Sequence, residues 1–368
     1  MVPTLTARLP SFPWDALEPY RAKAHAHPGG IVDLAVGAPV DAVPAIVRDT
    51  LAAASNTPGY PATAGTRVLR EAAARWLARR HQVTVDPDAV LPAIGTKELV
   101  ASLPTQLGCG PEDVVVHPAL AYPTYDIGAR LAGAKPVPAD GLAWPAAGPA
   151  RLRWLNSPSN PTGEVLNAGQ LREIVRQARE RGAVVASDEC YIELGWEEHP
   201  VSVLHPDVCD GSHTGLLAVH SLSKRSNMAG YRAGFVTGDP DLIAELLEIR
   251  KHAGMIVPGP VQAAAAAALD DDEHADAQRS AYKARRDALR PALQAAGWTV
   301  EHSGAGLYLW ATHPARDCWE SVAVLADIGI LVGPGSIFGP SGTQHIRLAL
   351  TATDERIAAA ATRLKSLT

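Results

Sequence analysis

Six short apolar runs, most of them separated by stretches of helical spacing and followed by polar turns, constrain this chain more than any other feature. The runs are Val90–Ile94, Val114–His117, Leu152–Asn156, Val184–Ser187, Leu216–His220 and Ala233–Val236. Helical patterns occupy Glu98–Leu107, Tyr125–Leu131, Ala168–Arg181 and Leu242–His252. Strands that alternate with helices predict an α/β fold, a mostly parallel sheet covered on both faces. Upstream, Ile31–Val36 reads as a strand, and Ala45–Ala54 and Val68–Arg80 read as helices. The alanine run Ala263–Ala268 reads as a helix that starts at Pro260, because alanine is the best helix former and proline suits a first turn.

The pattern changes near residue 270. An acidic stretch, Asp270 to Glu273, leads into a long charged helix, Ala275–Ala296. Short strands at Trp298–Glu301, Leu307–Trp310, Ile330–Val332 and His345–Leu350 follow, then a closing helix at Asp354–Leu367. This predicts a large domain over 38–270 with the central sheet, and a smaller α+β domain formed by 1–37 and 271–368.

At 368 residues the chain is long enough to bury a substantial core without disulfides or metals. Cys109, Cys190, Cys209 and Cys318 are widely spaced with no C-x-x-C pair, so no disulfide framework or zinc site is expected, and a reducing cytoplasm fits best. A net charge of −6 argues against a general nucleic-acid binder. The N-terminus shows no signal-peptide pattern, and the longest uncharged apolar stretch is interrupted by Pro258-Gly259-Pro260, so no membrane span is expected. Only seven of the 33 basic residues are lysines, which leaves few candidates for any role that needs a neutral amine.

Four turns at strand ends carry chemistry-bearing residues. Ser221-Leu-Ser223-Lys224 continues through Gly230 and Arg232 to Gly234 and lies between two strands. Ligand chemistry in an α/β fold sits at such a place, and the two hydroxyls and the arginine suit a phosphate; a basic surface turn would look the same. Asn156-Ser-Pro-Ser-Asn160-Pro-Thr-Gly163 is strong turn chemistry that also sets two amides at a strand end. In Ser187-Asp188-Glu-Cys-Tyr191 a carboxylate follows an apolar strand. Asp188 is then either a buried acid that needs a cationic partner or a helix N-cap. Gly95-Thr96-Lys97 joins a strand to a helix, where free amides make a natural phosphate site, as in many such turns.

In this order the four segments resemble the fold-type I pyridoxal-phosphate aminotransferases of class I/II, and the likeness runs from Gly37 to Arg347. The resemblance implies pyridoxal 5'-phosphate as cofactor and amino acids and 2-oxo acids as small-molecule substrates. It makes Lys224 the amine that is joined to the cofactor aldehyde and then acts as general base, a role closed to arginine, which stays protonated. It places Asp188 against the pyridine nitrogen and Tyr191 and Asn160 on the ring's phenolic oxygen, with Asn160 also among the substrate-binding residues. Tyr122 would stack on the ring face, or else pack in the core. The Gly95-Thr96-Lys97 turn, Ser221, Ser223 and Arg232 would hold the phosphate. Tyr60 would reach that phosphate from the second subunit of a homodimer with a shared active site. Arg347 would clamp the substrate α-carboxylate, unless it is an exposed strand arginine. Gly37 would touch the same carboxylate through its backbone, or form a turn. His220 is read as packing or as a support behind the site residues, and no metal is implied.

Within this family the segments around Asp188 and Lys224 look closest to actinobacterial succinyldiaminopimelate aminotransferases. That implies exchange of an amino group between N-succinyl-LL-2,6-diaminopimelate and 2-oxoglutarate, in lysine and diaminopimelate biosynthesis. Arg225, Arg21 and Lys23 are then candidate cations for the far carboxylates, although an arginine in the place of Arg225 is more often simply exposed. The other readings are a general aspartate, alanine or aromatic aminotransferase, a β-lyase, and a non-catalytic aminotransferase-like sensor.

Overall fold

The computed structural model describes residues 5–145 and 148–367. The first four residues and the last, which the sequence assigns to the small domain, lie outside the described residues. The N-terminal part carries α1 (Glu18–His25), a strand β1 (Val32–Asp33), α2 (Ala45–Ala53) and α3 (Arg67–His81). There follow β2 (Val90–Ile94), α4 (Thr96–Gln106), β3 (Val114–His117), α5 (Thr124–Ala132), β4 (Lys135–Pro138), β5 (Ala150–Asn156), α6 (Ala168–Arg181) and β6 (Val184–Asp188). After the short α7 (Pro206–Cys209) come β7 (Leu216–Ser221), α8 (Leu222–Arg225), β8 (Ala233–Gly238), α9 (Pro240–Ala253), α10 (Gly259–Asp270) and α11 (Glu273–Ala295). The C-terminal part holds β9 (Thr299–Glu301), β10 (Tyr308–Thr312), α12 (Cys318–Asp327), β11 (Ile330–Leu331), β12 (Gly333–Pro334), β13 (His345–Ala349) and α13 (Asp354–Leu364).

Seven strands form the main sheet in the order β2-β8-β7-β6-β5-β3-β4. β8 is antiparallel to both neighbours, and the remaining pairings are parallel. Side chains alternate across this sheet as a two-residue period demands. Leu155, Val185 and Ala218 face a core built on α3, α6 and α10, whereas Trp154, Ala186, Leu217 and Val219 face one built on α4, α5 and α9. A smaller antiparallel sheet, β12-β13-β10-β9, packs with α11, α12 and α13 around a third core that includes Leu17, Leu34, Tyr282 and Leu309.

Register positions the site. Asn156 at the end of β5 lies opposite Asp188 at the end of β6, Asp188 lies opposite Val219, and Ser221 closes β7 two residues further on. Three of the four sequence segments therefore converge at adjacent C-terminal strand ends.

Several elements differ from the sequence reading, among them α12 and β12, which have no counterpart there. The strand expected over Ile31–Val36 shortens to Val32–Asp33, paired with Ile330–Leu331. The Asp33 carboxylate accepts the Ala35 amide at 3.0 Å and turns the chain out of the ladder. β4 has no counterpart in the sequence reading: Pro136 and Pro138 disguise it, and the structure tolerates them because β4 is an edge strand. Among the described residues no helix is long and apolar enough to cross a membrane.

Candidate active site

A cavity of about 440 Å³ opens at the C-terminal ends of β5, β6 and β7, with Tyr308 and Arg347 of the small sheet also lining it. Gly37, Thr96, Lys97, Tyr122, Asn160, Asp188, Tyr191, Ser221, Ser223, Lys224, Arg232 and Arg347 all line it. The residues singled out in the sequence, scattered over some 300 positions, are thus brought together. Gly95 lies directly behind Arg232 at one end. Tyr60 is the exception: in the single chain it is fully exposed and lines no part of this cavity.

Lys224 sits on α8, a single turn whose start is fixed by the Ser221 hydroxyl accepting the Ser223 amide at 3.1 Å. Its Nζ donates to the Gly37 carbonyl. Burial strips water from the ammonium and lowers the lysine below its ordinary range, so the neutral amine is more accessible than on a surface lysine. Lys97 differs: its Nζ lies 6.0 Å over the Phe12 ring, and its residue is exposed.

Asp188 is buried and, among the described residues, has no cationic partner. The Tyr125 hydroxyl donates to one oxygen at 2.9 Å and the Cys190 amide to the other at 3.2 Å. The expected ion pair is therefore replaced by two neutral donors, and burial raises the acid above its ordinary range. The N-cap alternative is not what forms, since no helix begins at Asp188.

The Asn156–Gly163 turn ties two strands to the small sheet. Asn156 Nδ2 donates to the Asp188 carbonyl at 2.9 Å and its Oδ1 accepts the Asn160 amide at 2.7 Å. Asn160 Oδ1 then accepts from Arg347 Nη1 at 2.7 Å. Arg347 Nη2 donates to the Ala35 carbonyl at 2.7 Å, while Nε has no protein partner. The guanidinium lies 4.0 Å from the Tyr308 ring centroid, 4.5 Å from Phe338 and 5.5 Å from Trp14. At 2% exposure Arg347 is not an exposed strand residue. Burial lowers it below its ordinary range, and among the described residues no carboxylate pairs with it.

At the other end of the cavity Gly95 has φ 70°, and a Cβ there would fall 2.1 Å from Arg232 Nη2. The glycine thus lets the arginine lie flat against the turn. α4 starts at the next residue, so its first amides lack helical partners and face this corner. Tyr122 meets Tyr125 edge-on, at 5.9 Å and 85°, and Tyr125 stacks on Trp154.

The possible distal cations fall away from the cavity. Arg225 is neither exposed nor available: it is buried, bound to Glu193, and donates to the Ala268 carbonyl at 2.8 Å. Arg21 pairs with Asp33 and Lys23 with Asp327. His220 packs between Trp76 and Phe235, as expected. Sequence reasoning missed Tyr308, Trp14 and Phe12, which come from segments without a motif. Tyr125 was legible only as part of a helix, although it stands three residues from Tyr122.

This arrangement has known counterparts. The family model of aminotransferases of class I and II matches residues 30–364, and the chain belongs to that family, whose members depend on pyridoxal phosphate. It is 62% identical over 97% of its length to the 4-dedimethylamino-4-oxo-anhydrotetracycline transaminase OxyQ of Streptomyces rimosus, of which 99% is covered. It is 61% identical over 98% of its length to the probable aminotransferase Rv1178 of Mycobacterium tuberculosis, of which 86% is covered. Among solved structures, a probable N-succinyldiaminopimelate aminotransferase of Thermus thermophilus superposes with a TM-score of 0.86 at 30% identity, over 97% of this chain and all of that one.

The residues present fit the cofactor. A buried carboxylate without a protein cation is stabilised by a protonated pyridine nitrogen, which supplies the missing charge. The Gly95 turn is a cradle that a Cβ would fill, and Arg232 beside it offers a guanidinium to a dianion. Lys224, with its weakened hold on a proton, lies along the same cavity.

Proposed function

We propose that this enzyme moves an amino group between N-succinyl-LL-2,6-diaminopimelate and 2-oxoglutarate. The observation that carries this reading is the charge of the cavity: with Arg232 given to the phosphate and Arg347 to the α-carboxylate, Lys97 is left among its lining residues for a further carboxylate, and Asp188 is the one carboxylate among them. Such a lining suits a phosphate together with substrates that bear more than one carboxylate. The similarity to the probable N-succinyldiaminopimelate aminotransferase of Thermus thermophilus supports the same choice.

Bound pyridoxal phosphate supplies a ring that accepts the electron pair left when an amino acid loses its α-proton. The chain does the rest. Arg232, Ser221, Ser223 and the amides after Gly95 hold the phosphate. Asp188 keeps the ring nitrogen protonated. Tyr191 and Asn160 would donate toward the ring's phenolic oxygen and so lower the proton affinity of the Lys224 nitrogen. Arg347 receives the α-carboxylate on Nε and on the second hydrogens of its terminal nitrogens, beside the Gly37 backbone. Lys224, once free, takes the α-proton as a neutral amine and returns it on the other side of the reaction. The fully exposed Tyr60 fits a homodimer in which Tyr60 of the partner subunit completes the phosphate site. The two bodies, 38–270 and 1–37 with 271–368, contribute Lys224 and Arg347 respectively.

A second reading rests on the 62% identity to OxyQ and on Phe12, Trp14 and Tyr122 at the cavity: the oxo partner is then a ring ketone rather than a 2-oxo acid. A half-reaction assay with amino donors tests the first reading, and the return half-reaction, in which either 2-oxoglutarate or a ring ketone restores the band, separates the two. Holoenzyme is mixed separately with N-succinyl-LL-diaminopimelate, glutamate, aspartate, alanine and aromatic amino acids, and the visible band of the bound cofactor is followed. Rapid loss of the band with the succinylated substrate and glutamate alone supports the proposal. Loss with a common amino acid but not the succinylated one overturns the substrate, and release of a side-chain thiol from a cysteine conjugate shows a β-lyase. No response to any donor indicates a sensor.

A further inference from the structure

We propose that Tyr308 is a positioning residue: its hydroxyl donates to Tyr191, fixing the direction in which Tyr191 offers its own hydrogen, while its ring supports Arg347. The inference rests on the roles given above to Tyr191 and Arg347.

Tyr308 opens β10, opposite Ala349, and Arg347 is its diagonal neighbour across the ladder, a spacing that aromatic side chains bridge. That register sets the guanidinium 4.0 Å from the ring centroid. The ring meets Tyr191 edge-on, at 5.7 Å and 78°, and the two hydroxyls lie 3.1 Å apart. Both tyrosines are buried, and no other protein hydrogen-bond partner of the Tyr308 hydroxyl occurs among the described residues.

A phenol has one hydrogen. If Tyr191 gives its hydrogen to a ligand oxygen, it accepts from Tyr308, and Tyr308 must be the donor. Each bond in such a chain polarises the next, so Tyr191 becomes the stronger donor. Gly37 makes room for this: a Cβ there would lie 2.4 Å from the Tyr308 oxygen. Because the Gly37 carbonyl also accepts from Lys224, one hydroxyl sits where the lysine, the tyrosine and the arginine meet.

The test is the pH midpoint of the holoenzyme's visible band, which reads the proton affinity of the lysine nitrogen joined to the cofactor. Tyr191→Phe is expected to raise this midpoint, and Tyr308→Phe to raise it in the same direction by a few tenths of a unit, ~0.3. The double variant is expected to shift no further than Tyr191→Phe alone. Gly37→Ala, whose Cβ would press on the Tyr308 hydroxyl and ring edge, is expected to raise the midpoint too. KM for amino donors is expected to hold in Tyr308→Phe, where the ring remains, and to rise about 3- to 10-fold in Tyr308→Ala. An unmoved midpoint in both Tyr308→Phe and Gly37→Ala, or independent addition of the Tyr191 and Tyr308 shifts, overturns the inference alone. An unmoved midpoint in Tyr191→Phe overturns the Tyr191 role as well.

Discussion

Arg225 and Arg347 are buried to nearly the same depth, 6% and 2% exposed, yet they live in opposite surroundings. Arg225 is held by Glu193, by the Ala268 carbonyl and by the Ser226 hydroxyl, so its charge is met by a carboxylate although its Nη2 has no hydrogen-bond partner. Glu193 in turn pairs with Arg80, which reaches Asp276. Burial alone would raise Glu193, but Arg225, His81 and Arg80 together hold it below its ordinary range. Arg347 has rings, one amide oxygen and one carbonyl around it, and no carboxylate among the described residues. The lesson is that a charge closed off by protein partners builds the fold, whereas a charge buried and left open is waiting for a ligand. Asp188 is the acidic counterpart of Arg347, five residues along the chain from the closed Glu193.

The sharpest way to break this comparison is at the open site. Lys224→Ala is expected to reduce turnover by on the order of 10⁴-fold or more, with the fold intact by circular dichroism, because both the covalent anchor and the base are lost. Turnover near that of the unaltered enzyme would remove the central assignment. Next, Arg225→Met is expected to cost about 3–5 kcal/mol in denaturant unfolding, since it leaves Glu193 buried with a weaker partner. Arg347→Met in the apo protein is expected to be neutral or stabilising in the same measurement, because it removes an uncompensated buried charge. Its effect falls on catalysis instead: KM for amino and oxo acids rises while kcat falls less. Equal losses of stability in the two variants would erase the distinction.

The smallest effect comes from a group between the two regions. Glu189 is buried beside Asp188; burial pushes it up to about 7, and its Oε2 has no hydrogen-bond partner. An acid raised in the folded state contributes its stability below the unfolded value and loses it as pH rises through the folded one. Unfolding of the protein and of Glu189→Gln, measured from pH 5 to 8, is therefore expected to favour the variant progressively, by roughly 2–3 kcal/mol across the range. A difference independent of pH would show that Glu189 stays charged.

How much of this was legible in the sequence follows from how far apart the partners stand. Gly95, Thr96, Asp188, Ser221, Ser223 and Lys224 sit at strand ends or within three residues after them, and a strand end announces itself locally by its glycines, hydroxyls and asparagines. Parallel pairing then needs only the strand order to gather them. Tyr308 carries no such mark: it reads as one more core aromatic, and it reaches Tyr191 across 117 residues. Arg225 misled for the same reason, because beside a catalytic lysine its neighbours in sequence say nothing of Glu193, 32 residues away.

By itself, then, the sequence determined the α/β alternation, the polar turns at the strand ends and the few amines able to act as a base, because each depends on residues close along the chain. Tertiary structure alone decided which buried charges are closed and which stay open. Compensation of a charge depends on what packs against it, and Arg347 finds Asn160 only across 187 residues.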